Sequence, residues 1–318
     1  MPPRPPEVHV LAGGGNAMRV YVRGNPAQPG EEAPKGFLQV LPSRKTDKGF
    51  DRLALAECIA SKDNPLTARV IVNRVWQQHF GRGLVGTASN FGALGERPTH
   101  PELLDWLAVR FVEEGWSLKW LHRTIIGSAT YQLSCTVDAK NAEADGDNRL
   151  LWRMTRRRLD VEAWRDALLA VSGKLDRTVG GPSQELSARG NVRRTVYGRV
   201  SRHRLDPTLN LFDFPDPNVT SAARPVTTIP QQQLFALNSE FMIDQAKAFA
   251  QRIQSAAADD RGRINVAFAL AYGRAPTEEQ ARLGVGFLNL PVEKDDRLTR
   301  WEQYAQVILA SNEFMYVD

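Results

Sequence analysis

The sequence predicts a mainly α fold: a multi-helix globular domain with a small β-hairpin insertion near residues 192–204 and an extended Pro/Gly-rich N-terminal arm. Three observations support this prediction. Apolar residues recur at helical spacing from Asp51 onward. Capping residues and glycines separate these stretches. Only residues 192–204 alternate with the period of two that is typical of a strand.

The first 46 residues are rich in proline and glycine and lack periodicity. We therefore expect residues 1–46 to form an extended arm laid over another part of the protein. Residues 47–318 are expected to form a single helical domain, and a sub-boundary near 174–190 is the alternative. With 42% hydrophobic and 24% charged residues, the composition is that of an ordinary soluble globular protein.

Helices are expected in order along the chain, with clear start signals at several of them. Asn64 is a typical N-cap and Pro65 suits the first helical position. Thr277 and Gln280 have the spacing of a capping box. The glycine-rich residues 81–98 form a loop too long for a simple connector. The expected helical segments are 51–59, 64–80, 99–115, 117–126, 160–173, 230–254, 261–272, 277–288 and 297–311.

The alternating segment carries the first candidate site. If Val196 and Val200 face the core, one polar face projects from the opposite side of the strand. Guanidinium groups interleaved with an aromatic ring suit phosphate, sulfate or carboxylate recognition through forked hydrogen bonds. The alternative is that these arginines pair with the chain's own acids. The candidate anion-binding residues are Arg193, Tyr197, Arg199 and His203, together with Arg156 and Arg157 of a second arginine cluster.

The stretch FDFPDPN, residues 212–218, is the second candidate site. Its Asp213, Asp216 and Asn218 could supply oxygen ligands to a hard cation, and calcium is the ion that such a loop would suit. The spacing is not that of an EF-hand, and two prolines flank Asp216. We favour the alternative in which the carboxylates accept backbone N–H or arginine hydrogen bonds and fix the loop.

A third candidate is a cleft near the glycine-rich loop, with His100 and Glu102 at its edge. The enzyme hypothesis requires this loop, the arginine strand and the acidic loop to converge. Several catalytic motifs are missing from the sequence: it contains no HExxH, no GxSxG and no phosphate-binding GxxxxGK[ST] motif. Zincins, α/β-hydrolases and P-loop nucleotide sites are thereby excluded.

Two cysteines, Cys58 and Cys135, lie far apart and form no CxxC or CxxCH motif. We therefore expect no cofactor in this chain, and in particular no covalently attached haem. A single disulfide is one alternative, but we favour two buried free thiols. The sequence has no visible signal peptide and no apolar run long enough to span a bilayer.

The chain carries 41 Lys and Arg against 36 Asp and Glu, a formal net charge of +5. That surplus permits an anionic partner without requiring one. We do not expect nucleic acid binding, because recognised binding motifs are missing and the surplus is small for a surface that tracks phosphates.

Several long stretches together resemble a known family. They include NPLTARVIVNRVWQQHFGRGLV, GERPTHPELLDWLAVRFVEEGWSLKWLHRTIIGSATYQLSC, FDFPDPN and TTIPQQQLFALNSEFM. The chain resembles, over roughly residues 38–318, the planctomycete cytochrome-associated family of unknown function DUF1553. The resemblance implies the C-terminal unit of a longer exported bacterial protein, an extracytoplasmic location (periplasmic or secreted) and an upstream or separate cytochrome c-like partner module. The family has no established reaction.

Residues and resemblance together predict a binding or scaffolding module of an exported, cytochrome-associated system. Its Arg/Tyr face would engage an anionic group such as an acidic polysaccharide. The alternative is an enzyme, a hydrolase or redox enzyme, that acts on an acidic or sulfated polysaccharide.

Overall fold

The structure is a computed structural model that describes residues 18–41, 50–291 and 297–317. Within these ranges the chain forms 13 α-helices and two small two-stranded sheets, which confirms the mainly α class. The chain divides into two compact units. One comprises Met1–Val72 and Glu102–Leu118, and the other comprises Asn73–Pro101 and Lys119–Asp318.

The first unit begins with a short antiparallel hairpin. Strand β1 (Met18–Tyr21) pairs with β2 (Pro29–Ala33), with Met18 opposite Ala33, and a 3₁₀ turn at Val22–Gly24 joins them. Residues 1–17 and 42–49 lie outside the described residues, so the extended arm stays a prediction. The proposed division at residue 46 likewise stays a prediction.

Three helices complete the first unit: α1 (Arg52–Ile59), the start of α2 (Thr67–Phe80), and α3 (Pro101–Glu113). Helix α2 begins at Thr67, two residues after the predicted first position, Pro65, and Asn64 Oδ1 accepts from the Leu66 N–H at 3.0 Å in the turn that precedes the helix. Its Nδ2 also donates to the Cys58 carbonyl at 3.2 Å, which fixes the turn that follows α1. Cys58 is a buried free thiol and Cys135 a half-buried one.

The second unit is built around α9 (Glu240–Ala256). Met242, Ala246, Phe249 and Ile253 recur at helical spacing along one face of α9 and are fully buried. Five helices pack with α9 into one core: α6 (Val161–Val171), α8 (Pro230–Asn238), α10 (Asp260–Tyr272), α11 (Glu278–Leu288) and α12 (Arg300–Ala310).

Local capping signals decide several of these boundaries. The capping box of Thr277 and Gln280 is present, as predicted, and Thr299 with Glu302 forms a second one. The single helix predicted over 230–254 is wrong. Ser239 adopts an extended conformation and its hydroxyl accepts from the Met242 N–H at 3.3 Å, so one helix ends and another begins there.

Short elements complete the second unit. They are α4 (Leu118–Ile126), α5 (Ala139–Ala144), α7 (Pro207–Leu211) and α13 (Asn312–Met315). Strand β3 (Arg157–Arg158) pairs antiparallel with β4 (Tyr316–Val317). Two arginines of the 153–158 cluster are thus held by a backbone ladder that the sequence pattern did not predict.

The β-hairpin predicted near 192–204 is not formed. Thr195–Tyr197 is a 3₁₀ helix, and the neighbouring backbone makes only isolated bridges, Asp176 to Arg193 and Gln184 to Gly198. Val196 and Val200, expected in the core, are 68% and 48% exposed.

Thr195 points inward in their place. Its N–H and hydroxyl both donate to Asp166 Oδ1 of α6, at 2.7 Å each. Specific hydrogen bonds to α6 therefore override the apolar alternation, which is why a period of two misled the prediction.

Candidate functional site

The second unit contains a cleft of about 810 Å³ with an unusual concentration of arginines. Three chain segments surround it: the end of α2 with residues 81–84, the segment 147–160, and residues 223–226, with β4 at one side. We call it the arginine cleft. Its charged lining residues are Arg82, Arg149, Arg156, Arg157, Arg158 and Arg224, against Asp147 and Asp160.

A glycine turn forms one wall of the arginine cleft. Gly81 ends α2 with φ +83°, a left-handed conformation that glycine adopts without strain. A Cβ at this position would lie 3.2 Å from Cδ of Arg157, and one at Gly83 would lie 2.6 Å from the Asn73 amide. The turn therefore requires glycine both for its conformation and for its close contacts.

Asn73 is the residue that holds this turn, and sequence reasoning missed it. It is fully buried in α2, donates from Nδ2 to the Val85 carbonyl at 3.0 Å and accepts from the Val85 N–H at 2.8 Å. A lone amide within the apolar run VIVNRVW was the available signal. A buried amide with both groups bonded to one backbone unit fixes that backbone firmly.

Three of the arginines have acidic partners outside the cleft lining. Arg82 pairs with Glu96 at 2.8 Å. Arg224 forks onto Glu162 at 2.6 and 2.8 Å. Arg158, with its side chain 7% exposed, lies 3.8 Å from Asp213. These pairs build the walls of the cleft and offset three of its positive charges.

The other three lining arginines, Arg149, Arg156 and Arg157, share the cleft with Asp147 and Asp160. Arg157 donates to the Gln78 carbonyl, a group that carries no formal charge. Arg149 and Arg156 are exposed. Backbone N–H groups of Leu150 and Arg149, and then the Arg149 charge, lower the pKa of the exposed Asp145 carboxyl. The cleft thus presents guanidinium donors of the kind that fork onto oxyanions.

The acidic loop contributes neither Asp213 nor Asp216 to the cleft lining, and protein groups donate hydrogen bonds to both carboxylates. Asp213 has φ +64° and accepts from the N–H and hydroxyl of Thr227 at 2.9 and 2.7 Å. Asp216 accepts from the N–H and Nδ2 of Asn218 at 2.8 and 3.0 Å. Phe212 is buried against Trp164, with ring centroids 4.6 Å apart. This is the geometry of a fixed corner.

The proposed Arg/Tyr face has a different local structure from the one expected. The Arg193 guanidinium lies over the Tyr197 ring at 4.1 Å and donates to the carbonyls of Thr178, Gly180 and Pro182. The Tyr197 hydroxyl accepts from the Gly180 N–H at 2.8 Å. Arg193 and Tyr197 therefore organise a loop of their own chain.

The remaining candidates are dispersed. Arg199 pairs with Glu185 at 2.8 Å on an exposed surface, and His203 is exposed. His100 Nδ1 lies 2.9 Å from the Thr99 hydroxyl oxygen, and Glu102 is exposed on α3. Of all the predicted anion-binding residues, only Arg156 and Arg157 line the arginine cleft.

A second cleft, of about 800 Å³, lies beside α9. Its charged lining residues are Arg165, Lys174, Arg189 and Lys247 together with Glu240, Asp244 and Glu302. Because its four basic and three acidic residues nearly balance, this cleft favours neither anionic nor cationic ligands. The lining of the arginine cleft favours anionic ligands, so the arginine cleft is the stronger candidate site.

A family model described as PSD1: Protein of unknown function (DUF1553) matches residues 51–288. The chain belongs to this family. The DUF1553 match contains every segment of the arginine cleft except β4. No curated protein and no solved structure matches this DUF1553 chain significantly.

Two further findings concern the described residues of this DUF1553 chain. None of their helices is both long enough and apolar enough to cross a membrane. Nor do they contain a group of three or more His, Cys, Asp and Glu placed to hold a metal ion.

Proposed function

We propose that this DUF1553 chain is a binding module that holds an acidic or sulfated polysaccharide in the arginine cleft. The observation that carries the proposal is the lining itself, in which six arginines face two aspartates. An oxyanion polymer brings repeated sulfate or carboxylate groups, each of which accepts two parallel N–H bonds from one guanidinium.

The roles within the cleft differ with exposure. Arg149 and Arg156 are exposed and would meet the polymer first. Arg157 is half-buried and anchored to the Gln78 carbonyl, so its position is fixed before binding. A fixed donor loses little side-chain entropy on binding, and this favours affinity. Tyr316, 36% exposed, offers a ring face beside these charges.

Binding is favoured over the enzyme alternative by the state of the acidic loop. A hydrolase acting on a polysaccharide would need a pair of available carboxyl groups across the scissile bond. Asp213 already accepts two hydrogen bonds from Thr227, and Asp216 accepts two from Asn218. Neither residue lines the arginine cleft.

The proposed setting is an exported, cytochrome-associated protein of planctomycete type, of which this chain is the C-terminal unit in an extracytoplasmic location. The sequence resemblance supports this setting. Any haem would belong to a cytochrome c-like partner module, because this chain has no CxxCH motif. Calcium binding by the acidic loop is the less favoured alternative, since protein donors already occupy its carboxylates.

The test is retention on a dextran sulfate column, compared with neutral dextran. The double reversal Arg149→Glu and Arg156→Glu should elute at clearly lower salt than the parent, because charged polymers bind largely by releasing counterions. The double reversal Arg199→Glu and Arg202→Glu is the matched control, as it changes the net charge equally at two exposed arginines outside the cleft. Equal loss in the control, or full retention of the double variant, would contradict the proposal.

A further inference from the structure

A pair of histidines lies directly next to the end of α2. His79 Nε2 of α2 and His122 Nδ1 of α4 are 2.8 Å apart, and the ring centroids are separated by 5.0 Å. Tyr131 packs edge-on against His79 at 5.5 Å and against Phe80 at 5.9 Å. Two helices and an aromatic contact therefore hold the two ring nitrogens close together.

The surroundings of His79 disfavour its protonated form. Burial, the neighbouring His122 and the charge of Arg157 all lower the pKa of His79. Neutral imidazole is the form that ligates a metal ion. The observed contact also requires a lone pair on at least one of the two facing nitrogens.

We infer that His79 and His122 form a binding site for a divalent transition metal ion such as Cu²⁺ or Ni²⁺. In the metal-free pair one facing nitrogen carries the shared hydrogen. When the metal binds, that ring takes the other neutral tautomer, with its N–H on the outward nitrogen. Both inward nitrogens then present lone pairs to the metal ion.

The separation of the nitrogens indicates which ions fit. If the nitrogens keep their 2.8 Å separation when the rings rotate, metal–nitrogen bonds of about 2.0–2.1 Å subtend about 84–89° at the metal. That angle suits square-planar or octahedral coordination, which Cu²⁺ and Ni²⁺ adopt, better than the tetrahedral geometry of Zn²⁺. Both rings must rotate to aim at one point, and the exposure of His122 leaves room for this.

Two features set the expected affinity. Among the described residues, no further His, Cys, Asp or Glu joins this pair to make a group of three placed to hold an ion. Arg157 places a positive charge close to His79 and opposes a cation. The site is therefore open and of moderate affinity, and it does not depend on the proposed polysaccharide function.

Titration of the purified chain with Cu²⁺, followed by calorimetry and by electron paramagnetic resonance, tests the inference. We expect one ion per chain with two imidazole nitrogens in its spectrum. His122→Gln keeps a hydrogen-bonding side chain but removes a ligand, and it should weaken binding at least about tenfold, equal to about 1.4 kcal/mol. His203→Gln is the control, because it removes an exposed histidine elsewhere, and it should bind like the parent.

A variant that should strengthen metal binding tests the electrostatic effect of Arg157. Arg157→Gln should bind Cu²⁺ more tightly than the parent while it weakens retention on dextran sulfate. Unchanged affinity in His122→Gln would overturn the site. A parent spectrum with a single imidazole nitrogen would overturn it as well, even if the variant fails to fold.

Discussion

The arginine cleft and the segment around Arg193–Arg199 are both rich in arginine but use their arginines differently. Around Arg193 the chain folds back on the guanidinium, and three backbone carbonyls from residues 178–182 accept its hydrogens. In the arginine cleft, Arg157 donates to one carbonyl while Arg149 and Arg156 reach the surface.

The comparison shows that interleaved arginine and aromatic residues do not by themselves mark a recognition site. A guanidinium has five N–H donors and satisfies them on whatever acceptors the fold brings near. Around Arg193 those acceptors belong to a loop 11 to 15 residues earlier in the chain. In the arginine cleft the lining itself holds six arginines and two aspartates, and Arg149 and Arg156 lie exposed at its surface.

The largest effect should come from the residue that fixes the Arg193 segment. Arg165, 3% exposed, donates to the carbonyls of Asn191 and Arg193 and to the Thr195 hydroxyl. Arg165→Met leaves buried acceptors without donors and should lower the free energy of unfolding by about 3 kcal/mol. Urea denaturation monitored by circular dichroism measures this.

Arg199→Ala is the paired control within the same segment. It removes only an exposed ion pair with Glu185, so the free energy of unfolding should fall by less than about 0.5 kcal/mol. If both variants were equally stable, the segment would not be held by Arg165 and the contrast between the two regions would disappear.

An intermediate effect is expected at the corner that supports the cleft wall. Asp213→Ala removes the acceptor for Thr227 and places alanine at φ +64°, and the free energy of unfolding should fall by about 2 kcal/mol. Asp216→Ala in the same loop should cost about 0.5 kcal/mol, since its bonds are local and exposed. If the two variants had equal melting temperatures, the hydrogen bonds of Asp213 would not fix the loop.

The smallest of the three main expected changes in the free energy of unfolding depends on pH. Burial alone raises the pKa of Glu162, but hydrogen bonds from Arg224 and from the residue's own N–H, together with the Arg224 charge, outweigh it and lower the pKa. Because the folded pKa is below the ordinary 4.5, the Glu162 carboxylate adds stability above that pH. This contribution is lost as the pH falls through the folded value.

Glu162→Gln should therefore cost about 1 kcal/mol at neutral pH and almost nothing at acid pH, where both side chains are neutral. Urea denaturation across this pH range checks the difference. The substitution also releases Arg224 into the cleft, so retention on dextran sulfate should increase. A stability difference that stays constant with pH would contradict the role assigned to the Glu162–Arg224 pair.

Local signals predicted most of the helical architecture. The Thr277–Gln280 capping box lies where the sequence indicated, and Asn64 bonds the turn just before α2, because such signals depend on groups within one turn of chain. The break at Ser239 was missed although its signal is local too, since a serine precedes Glu240 at the start of α9. The favoured structural role of Asp213 agrees with its hydrogen bonds.

Tertiary structure decided which partners the arginines bind. The sequence by itself determined a mainly α protein and two arginine clusters, and it favoured a structural role for the acidic loop. It could not determine which guanidinium groups would meet backbone acceptors, because those acceptors arrive from distant residues. Nor could it place Asn73 against Val85 or His79 against His122. Those contacts join residues 12 and 43 positions apart, and only packing of the helices brings them together.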